Sequence, residues 1–206
     1  MDEFLIVALA HLLAVISPGP DLAVVLSTAS SKGIREGVKT SLGVAIGIGI
    51  HVAYCLVGIA LLLKSNQALF NVIRTVGSLY LIWLAWNLAK SALSSRKSED
   101  QQISKPTGSG FTKGLVTNVL NPKATLFFLA LFTQVVSEST SLGIKLIYGI
   151  EMILVTFLWF TLVSILVGNS KIRKAYLKKS WIVDLIFSLV LFGLGVVVLR
   201  DIISGI

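Results

Sequence analysis

Two short stretches hold side chains able to handle a charged solute inside an otherwise apolar chain: Ser17-Pro18-Gly19-Pro20-Asp21 and Asn121-Pro122-Lys123. Each sets an ionisable residue directly after a proline. Proline lacks an amide donor and its ring collides with the preceding turn, so neither stretch continues as one unbroken helix. The backbone groups freed at such a break are available to bind something else. In the second stretch Asn121 is suited to cap a helix and Pro122 to occupy its first position. Lys123 then falls in the first turn, where a cation opposes the helix dipole. A charge in the bilayer centre costs ~3 kcal/mol or more, so Lys123 requires an anionic neighbour. Asp21 is the expected partner, either as a structural ion pair or as a pair that trades partners with a solute.

The elements that must position these residues follow from composition. Hydrophobic residues make up 55% of the 206 positions and charged ones 14%, with a mean hydropathy of +0.88, far from the balance of a soluble domain. Six apolar stretches, roughly Phe4–Ser27, Gly37–Leu63, Ala68–Ala89, Phe111–Val136, Leu146–Val167 and Trp181–Leu199, each approach the ~20 residues that span a bilayer. The expected fold is an all-α integral membrane domain over 1–206 with six transmembrane helices, the first and fourth broken by proline. Pro20 and Pro122 stand half a chain length apart. The chain therefore divides into a first three-helix repeat (1–93), a polar cytoplasmic linker (94–109) and a second repeat (110–206). Three spans per half is an odd number, so the second repeat is inverted relative to the first, the arrangement of many secondary transporters.

The formal charge of +8 is explained by position. Lys32, Arg35 and Lys39 lie in loop 1–2; Lys90, Arg96, Lys97, Lys105 and Lys113 in loop 3–4; Lys171, Arg173, Lys174, Lys178 and Lys179 in loop 5–6. The other side carries only Lys64, Arg74, Lys145 and Arg200. By the positive-inside rule the odd loops are cytoplasmic and both termini outside. This topogenic reading leaves no need for a nucleic-acid partner. Met1-Asp2-Glu3 is acidic where a secretory signal is basic, so the first helix is expected to be retained. Cys55 is the lone cysteine, which excludes an internal disulfide and a thiol-redox or cysteine-rich metal site.

Gly43, Gly47 and His51 repeat every four residues and share a helix face. The glycines are read as a groove receiving the broken first helix, and His51 as either a hydrogen-bonding anchor or a titrating group. Glu151 and Asp184 lie a few residues inside their spans, within reach of the interface. Tyr80, Trp83, Trp86, Trp159 and Trp181 fall mostly near span ends, as interfacial anchors do.

Ser17-Pro18-Gly19-Pro20-Asp21, taken with Lys113-Gly114-Leu115-Val116-Thr117-Asn118 and Asn121-Pro122-Lys123-Ala124, closely resembles the lysine-exporter (LysE/RhtB) family of bacterial amino-acid efflux proteins. The resemblance covers the whole chain. Trp159-Phe160-Thr161 and Trp181-Ile182-Val183-Asp184 look most like its homoserine/threonine branch. The resemblance implies a multi-pass protein of the bacterial cytoplasmic membrane that exports small amino acids, driven by proton exchange. A zwitterion fits both breaks: its carboxylate suits Lys123 and exposed helix-start amides, its ammonium Asp21 and the carbonyls freed at Pro18 and Pro20. The expected substrate-binding set is Pro18, Gly19, Pro20, Asp21, Thr117, Asn118, Asn121, Pro122 and Lys123, with Asp21, His51 and Glu151 as candidates for carrying the proton. The expected partners are an amino acid, protons and the lipid bilayer; self-association into a homo-oligomer stays open. No cofactor, metal or enzymatic role is expected, since the chain holds no recognisable nucleophile–base motif or metal-ligand pair. The alternative is an inverted-repeat transporter of an ion or metal cation, which would want clustered His, Cys or carboxylate ligands.

Overall fold

A computed structural model describes residues 2–65, 67–94, 108–134, 136, 139–167 and 170–204. They form eight helices, with no strand among the described residues: α1 Asp2–Ile16, α2 Pro20–Lys32, α3 Ile34–Ser65, α4 Gln67–Ser94, α5 Gly110–Val119, α6 Pro122–Gln134, α7 Leu142–Leu166 and α8 Ser170–Ser204. Stretches of α3, α4, α7 and α8 are long and apolar enough to cross a bilayer. The pairs α1/α2 and α5/α6 are bent by 50° and 56° at their short breaks, so the spans number four, or six if each bent pair crosses once. The sequence-derived spans agree with these elements except at α8, which starts at Ser170, well before the expected Trp181. Most of the linker expected over 94–109 lies outside the described residues.

Pro20 and Pro122 are the first residues of α2 and α6, where a missing amide hydrogen is no loss because the first turn has no intrahelical acceptor. Each proline withholds the bond that the carbonyl four residues back would accept in an unbroken helix. Those carbonyls belong to Ile16 and Asn118, and both find side-chain donors on other helices, Tyr176 of α8 and His51 of α3.

Helix packing is set by small residues, since lipid tails are as apolar as leucine and close backbone approach is what favours association. Gly43 and Gly47 do share a face of α3, but that face receives α5 and not the broken first helix. A Cβ on Gly43 would fall 2.1 Å from the Phe111 carbonyl oxygen, and one on Gly47 2.5 Å from Asn118 Oδ1. α5 reciprocates, for a Cβ on Gly114 would lie 2.1 Å from the Thr40 carbonyl oxygen. The first broken pair meets α3 nearer its start, where a Cβ on Gly37 would be 2.7 Å from Ala29 Cβ. Spacing defines a helix face but not its neighbour, which is why the expectation named the wrong one.

The main core joins Phe127, Phe128 and Leu131 of α6 to Leu81 of α4, Met152 of α7 and Phe187 and Leu191 of α8. Leu9, Trp83, Trp86, Leu158 and Leu189 are exposed, as befits residues that meet lipid. At one end of the bundle Lys32 Nζ donates to the Gly108 carbonyl (2.8 Å) and the Gly110 amide to Glu36 Oε2 (3.0 Å). This brings the α2–α3 turn and the start of α5 to one face. Glu3 and Thr140 meet elsewhere, at 2.9 and 3.0 Å, joining the N-terminus to the α6–α7 connection.

Candidate functional site

Gly19 precedes α2 in an extended conformation (φ −174°, ψ −175°) and offers no side-chain cap. The first-turn amides of α2 therefore lack a side-chain acceptor, a site suited to an anion. Asp21 stands in that turn. Its Oδ2 accepts hydrogen bonds from Asn118 Nδ2 (3.0 Å) and Asn121 Nδ2 (3.1 Å), both across the bundle at the second break. Its Oδ1 is buried and makes no hydrogen bond.

The second break mirrors this dependence. Asn121 Oδ1 accepts the Lys123 amide (3.0 Å), the cap expected from sequence. The Lys123 side chain then reaches back to the first break, donating to Ser17 Oγ (2.9 Å) and, at 3.5 Å, to the Pro18 carbonyl, with its ammonium 5.5 Å from the Phe187 ring centre. A Cβ on Gly19 would lie 3.7 Å from Lys123 Nζ, an ordinary contact. Among the described residues the direct salt bridge is Lys39–Glu36, at 2.6 Å. Asp21 and Lys123 are therefore not in contact, contrary to the ion pair expected from sequence. The reason is that neutral donors and acceptors occupy both: two asparagine amides on the carboxylate, a serine hydroxyl on the ammonium. Ser17 Oγ in turn donates to Asp184 Oδ1 (2.7 Å), so a second carboxylate serves Lys123 through one hydroxyl. Asp184 is buried, not at the interface as expected.

The orphan carbonyls complete the two breaks. The Tyr176 hydroxyl donates to the Ile16 carbonyl. The Asn118 carbonyl accepts from His51 Nε2 (3.0 Å) and the Asn121 amide (2.9 Å). A carbonyl only accepts, so Nε2 carries the hydrogen. His51 Nδ1 lies 2.5 Å from the Tyr54 hydroxyl, leaving both ring nitrogens engaged.

Between the breaks lies a cavity of about 40 Å³, lined at one end by Ser17, Gly19, Asp21, Asn121 and Lys123 and along its walls by Val44, Ile48, Phe127, Phe128 and Phe160. This is space for a few ordered waters. His11 and Thr156 also line it, and sequence reasoning overlooked both. The signal for His11 was its place in the stripe Val7, Ala10, His11, Val15, all buried. Of the expected substrate set, Gly19, Asp21, Asn121 and Lys123 line the cavity, Pro18 touches Lys123, and Asn118 holds Asp21 from behind. Pro20 and Pro122 act through the helix starts, and Thr117 is half-buried on α5 without lining the cavity. His51 and Glu151 do not line it either; Glu151 Oε2 is buried without a hydrogen-bond partner.

The model of the family described as LysE type translocator matches residues 12–202. A threonine efflux protein of Salmonella typhimurium is 31% identical over 204 residues, covering 95% of this chain and 97% of that protein. The threonine efflux protein of Escherichia coli strain K12 is 31% identical over 199 residues, 94% of this chain and 95% of its own. A leucine efflux protein of an Enterobacter species is 31% identical over 166 residues, 80% and 77% of the two chains. No solved structure matches.

Proposed function

Since the chain belongs to the LysE-type translocator family, a family of multi-pass membrane proteins, we propose that it exports small amino acids of the threonine and homoserine kind from the cytoplasm in exchange for protons. The observation that carries this reading is the pair of opposite charges, Asp21 and Lys123, held apart by neutral groups around one cavity between two helix breaks. A zwitterion presents both complementary charges at once: its ammonium to Asp21 Oδ1, its carboxylate to Lys123 and the uncapped amides of α2. A metal cation would share the cavity with a lysine and find only one carboxylate and His11 there, short of the clustered ligands a metal site wants, and no such cluster occurs among the described residues. That disfavours the alternative of metal or ion transport, and nothing in the site suggests catalysis.

The inverted-repeat reading is supported by how the halves pair. With α1, α2, α3 and α4 matched to α5, α6, α7 and α8, α3 packs on α7 and α4 on α8, each on its counterpart. α5 likewise lies on α3 as α1 lies on α7. Such self-pairing is what a pseudo-twofold axis in the membrane plane produces. The grouping of Lys32, Gly108 and Glu36 supports loops 1–2 and 3–4 lying on one side of the membrane, which the positive-inside rule assigns to the cytoplasm. Asp21 is the favoured proton carrier because it alone of the three candidates lines the cavity.

The test is uptake of labelled threonine, homoserine, leucine, lysine and arginine into inside-out vesicles containing the protein. Threonine and homoserine are expected to accumulate when the vesicle interior is acidic. Uptake of none of these, with accumulation of a divalent metal instead, would reverse the reading.

A further inference from the structure

His11 is fully buried on α1, yet the export reading above gives it no task. Its Nε2 lies 3.2 Å from Thr156 Oγ1 on α7, while its Nδ1 has no hydrogen-bond partner. Both residues line the cavity that Asp21 and Lys123 share. Along α1, His11 precedes Ser17 by about 9 Å of helix rise. Between the two, the wall is apolar: Ala14, Val15, Val44 and Ile48. The cavity thus has a charged end at the breaks, an apolar middle and a second, uncharged polar patch.

We propose that His11 and Thr156 form the subsite that reads the substrate's side chain and selects one bearing a hydroxyl over its apolar isostere. This rests on the amino-acid export reading, and concerns what lies beyond the ammonium and carboxylate. A buried imidazole nitrogen without a partner is unusual in a folded protein and points to a group that arrives later. Imidazole offers a donor at one nitrogen and an acceptor at the other, and the threonine hydroxyl at Nε2 adapts to either tautomer. Nδ1 can therefore donate to or accept from an incoming hydroxyl, which has the same dual capacity. A methyl in that position would leave Nδ1 unpaired. Sites built to hydrogen-bond a hydroxyl reject the analogue lacking it far more strongly than apolar pockets reject an added one.

Threonine and valine differ by this one exchange of hydroxyl for methyl. Purified wild type, Thr156→Val, Thr156→Ser and His11→Leu in proteoliposomes would be compared by counterflow of labelled threonine against unlabelled threonine or valine. Wild type should prefer threonine. Thr156→Val and His11→Leu should each lower the threonine-to-valine ratio by about tenfold, with the loss falling on threonine, and Thr156→Ser should keep it. At one threonine concentration, threonine should also raise the thermal midpoint of detergent-solubilised wild type more than that of Thr156→Val, a readout independent of reconstitution. A ratio unchanged in Thr156→Val, or an equal fall for both substrates, would overturn the proposal and leave a packing role. Wild type that binds and moves no amino acid would instead overturn the export reading on which it stands.

Discussion

Neutralising the two charges separately and together tests whether Asp21 and Lys123 brace the bundle or hold the substrate. Asp21 Oδ2 accepts two amide hydrogen bonds, at 3.0 and 3.1 Å. A charged acceptor makes bonds of ~1.5–3 kcal/mol and a neutral one ~0.5–1.5. Asp21→Asn, whose amide oxygen can keep both bonds, should weaken them by on the order of 2–3 kcal/mol in total. Removing a buried charge works in the opposite direction by a few kcal/mol. The net change should stay within about 2 kcal/mol, or roughly 4–8 °C in thermal midpoint. Lys123→Gln behaves alike, because glutamine can still donate to Ser17. Substrate loses more, since the ammonium forfeits its charged acceptor at Oδ1, worth about 10- to 150-fold in affinity. Export of preloaded labelled threonine should therefore collapse in both single variants while protein abundance and midpoint stay near wild type. The double variant is the decisive one. A structural strut recovers when both charges go, because no unpaired charge remains. Here each charge has separate, neutral partners, so the double variant should be as inactive as the worse single variant or more so. Recovery of half the wild-type export in Asp21→Asn/Lys123→Gln would refute the reasoning.

Three further outcomes follow from the same geometry. In a Cys55→Ser background, cysteine at Ser141 should react with an impermeant thiol reagent in intact cells and cysteine at Ser98 only after permeabilisation; the reverse pattern would invert the proposed orientation. Gly114→Ala drives a methyl to 2.1 Å from the Thr40 carbonyl, so α3 and α5 must separate at about 1–3 kcal/mol, read as a lowered thermal midpoint, whereas Gly143→Ala, with nothing within 4 Å, should shift it little. Tyr176→Phe leaves the Ile16 carbonyl without its donor and should cost about 1–3 kcal/mol of stability, while leaving the threonine-to-valine ratio intact, as expected of a brace and not a substrate contact.

The bends at the two helix starts, the Asn121 cap and the two half-buried charges beside them were legible in the sequence because proline, asparagine and charge act on their immediate neighbours. Partnership was not legible. Asp184 reaches Ser17 across 167 positions, and nothing local to Trp181-Ile182-Val183-Asp184 reveals that α8 begins early and carries the aspartate inward. Lys123 and Asp21 were expected to seek each other, yet a hydroxyl and a carbonyl hold the ammonium and two amides hold the carboxylate, because neutral groups cost less to bury than a second ion. His11 was hidden for a related reason: an amphipathic stripe in a membrane helix is weak when both faces are apolar, so the buried face carried no contrast. His51, more conspicuous beside its glycines, proves to occupy both nitrogens in structural bonds.

The separation of Asp21 from Lys123 has a mechanical consequence. Had they been in contact, a solute would have had to break a buried ion pair before binding, a loss of ~3–5 kcal/mol when either partner is left alone. Held on neutral groups, both charges keep capacity for a new partner, and Asp21 Oδ1 keeps an oxygen with no bond at all. The holding groups also cross between halves. Asp21, at the first break, is held by asparagines of the second; Lys123, at the second, is held by Ser17 of the first. A carboxylate that draws Lys123 off Ser17 exchanges a bond between the halves for a bond to substrate, and Ser17 keeps Asp184 within its own hydrogen-bond reach. A solute with a single charge could satisfy one side of this arrangement and would leave the other clamped. On the proposed reading a solute with both charges engages both sides at once, its ammonium at the free Asp21 Oδ1 and its carboxylate in place of Ser17 at Lys123, so binding a zwitterion would exchange one bond between the two breaks for bonds to substrate.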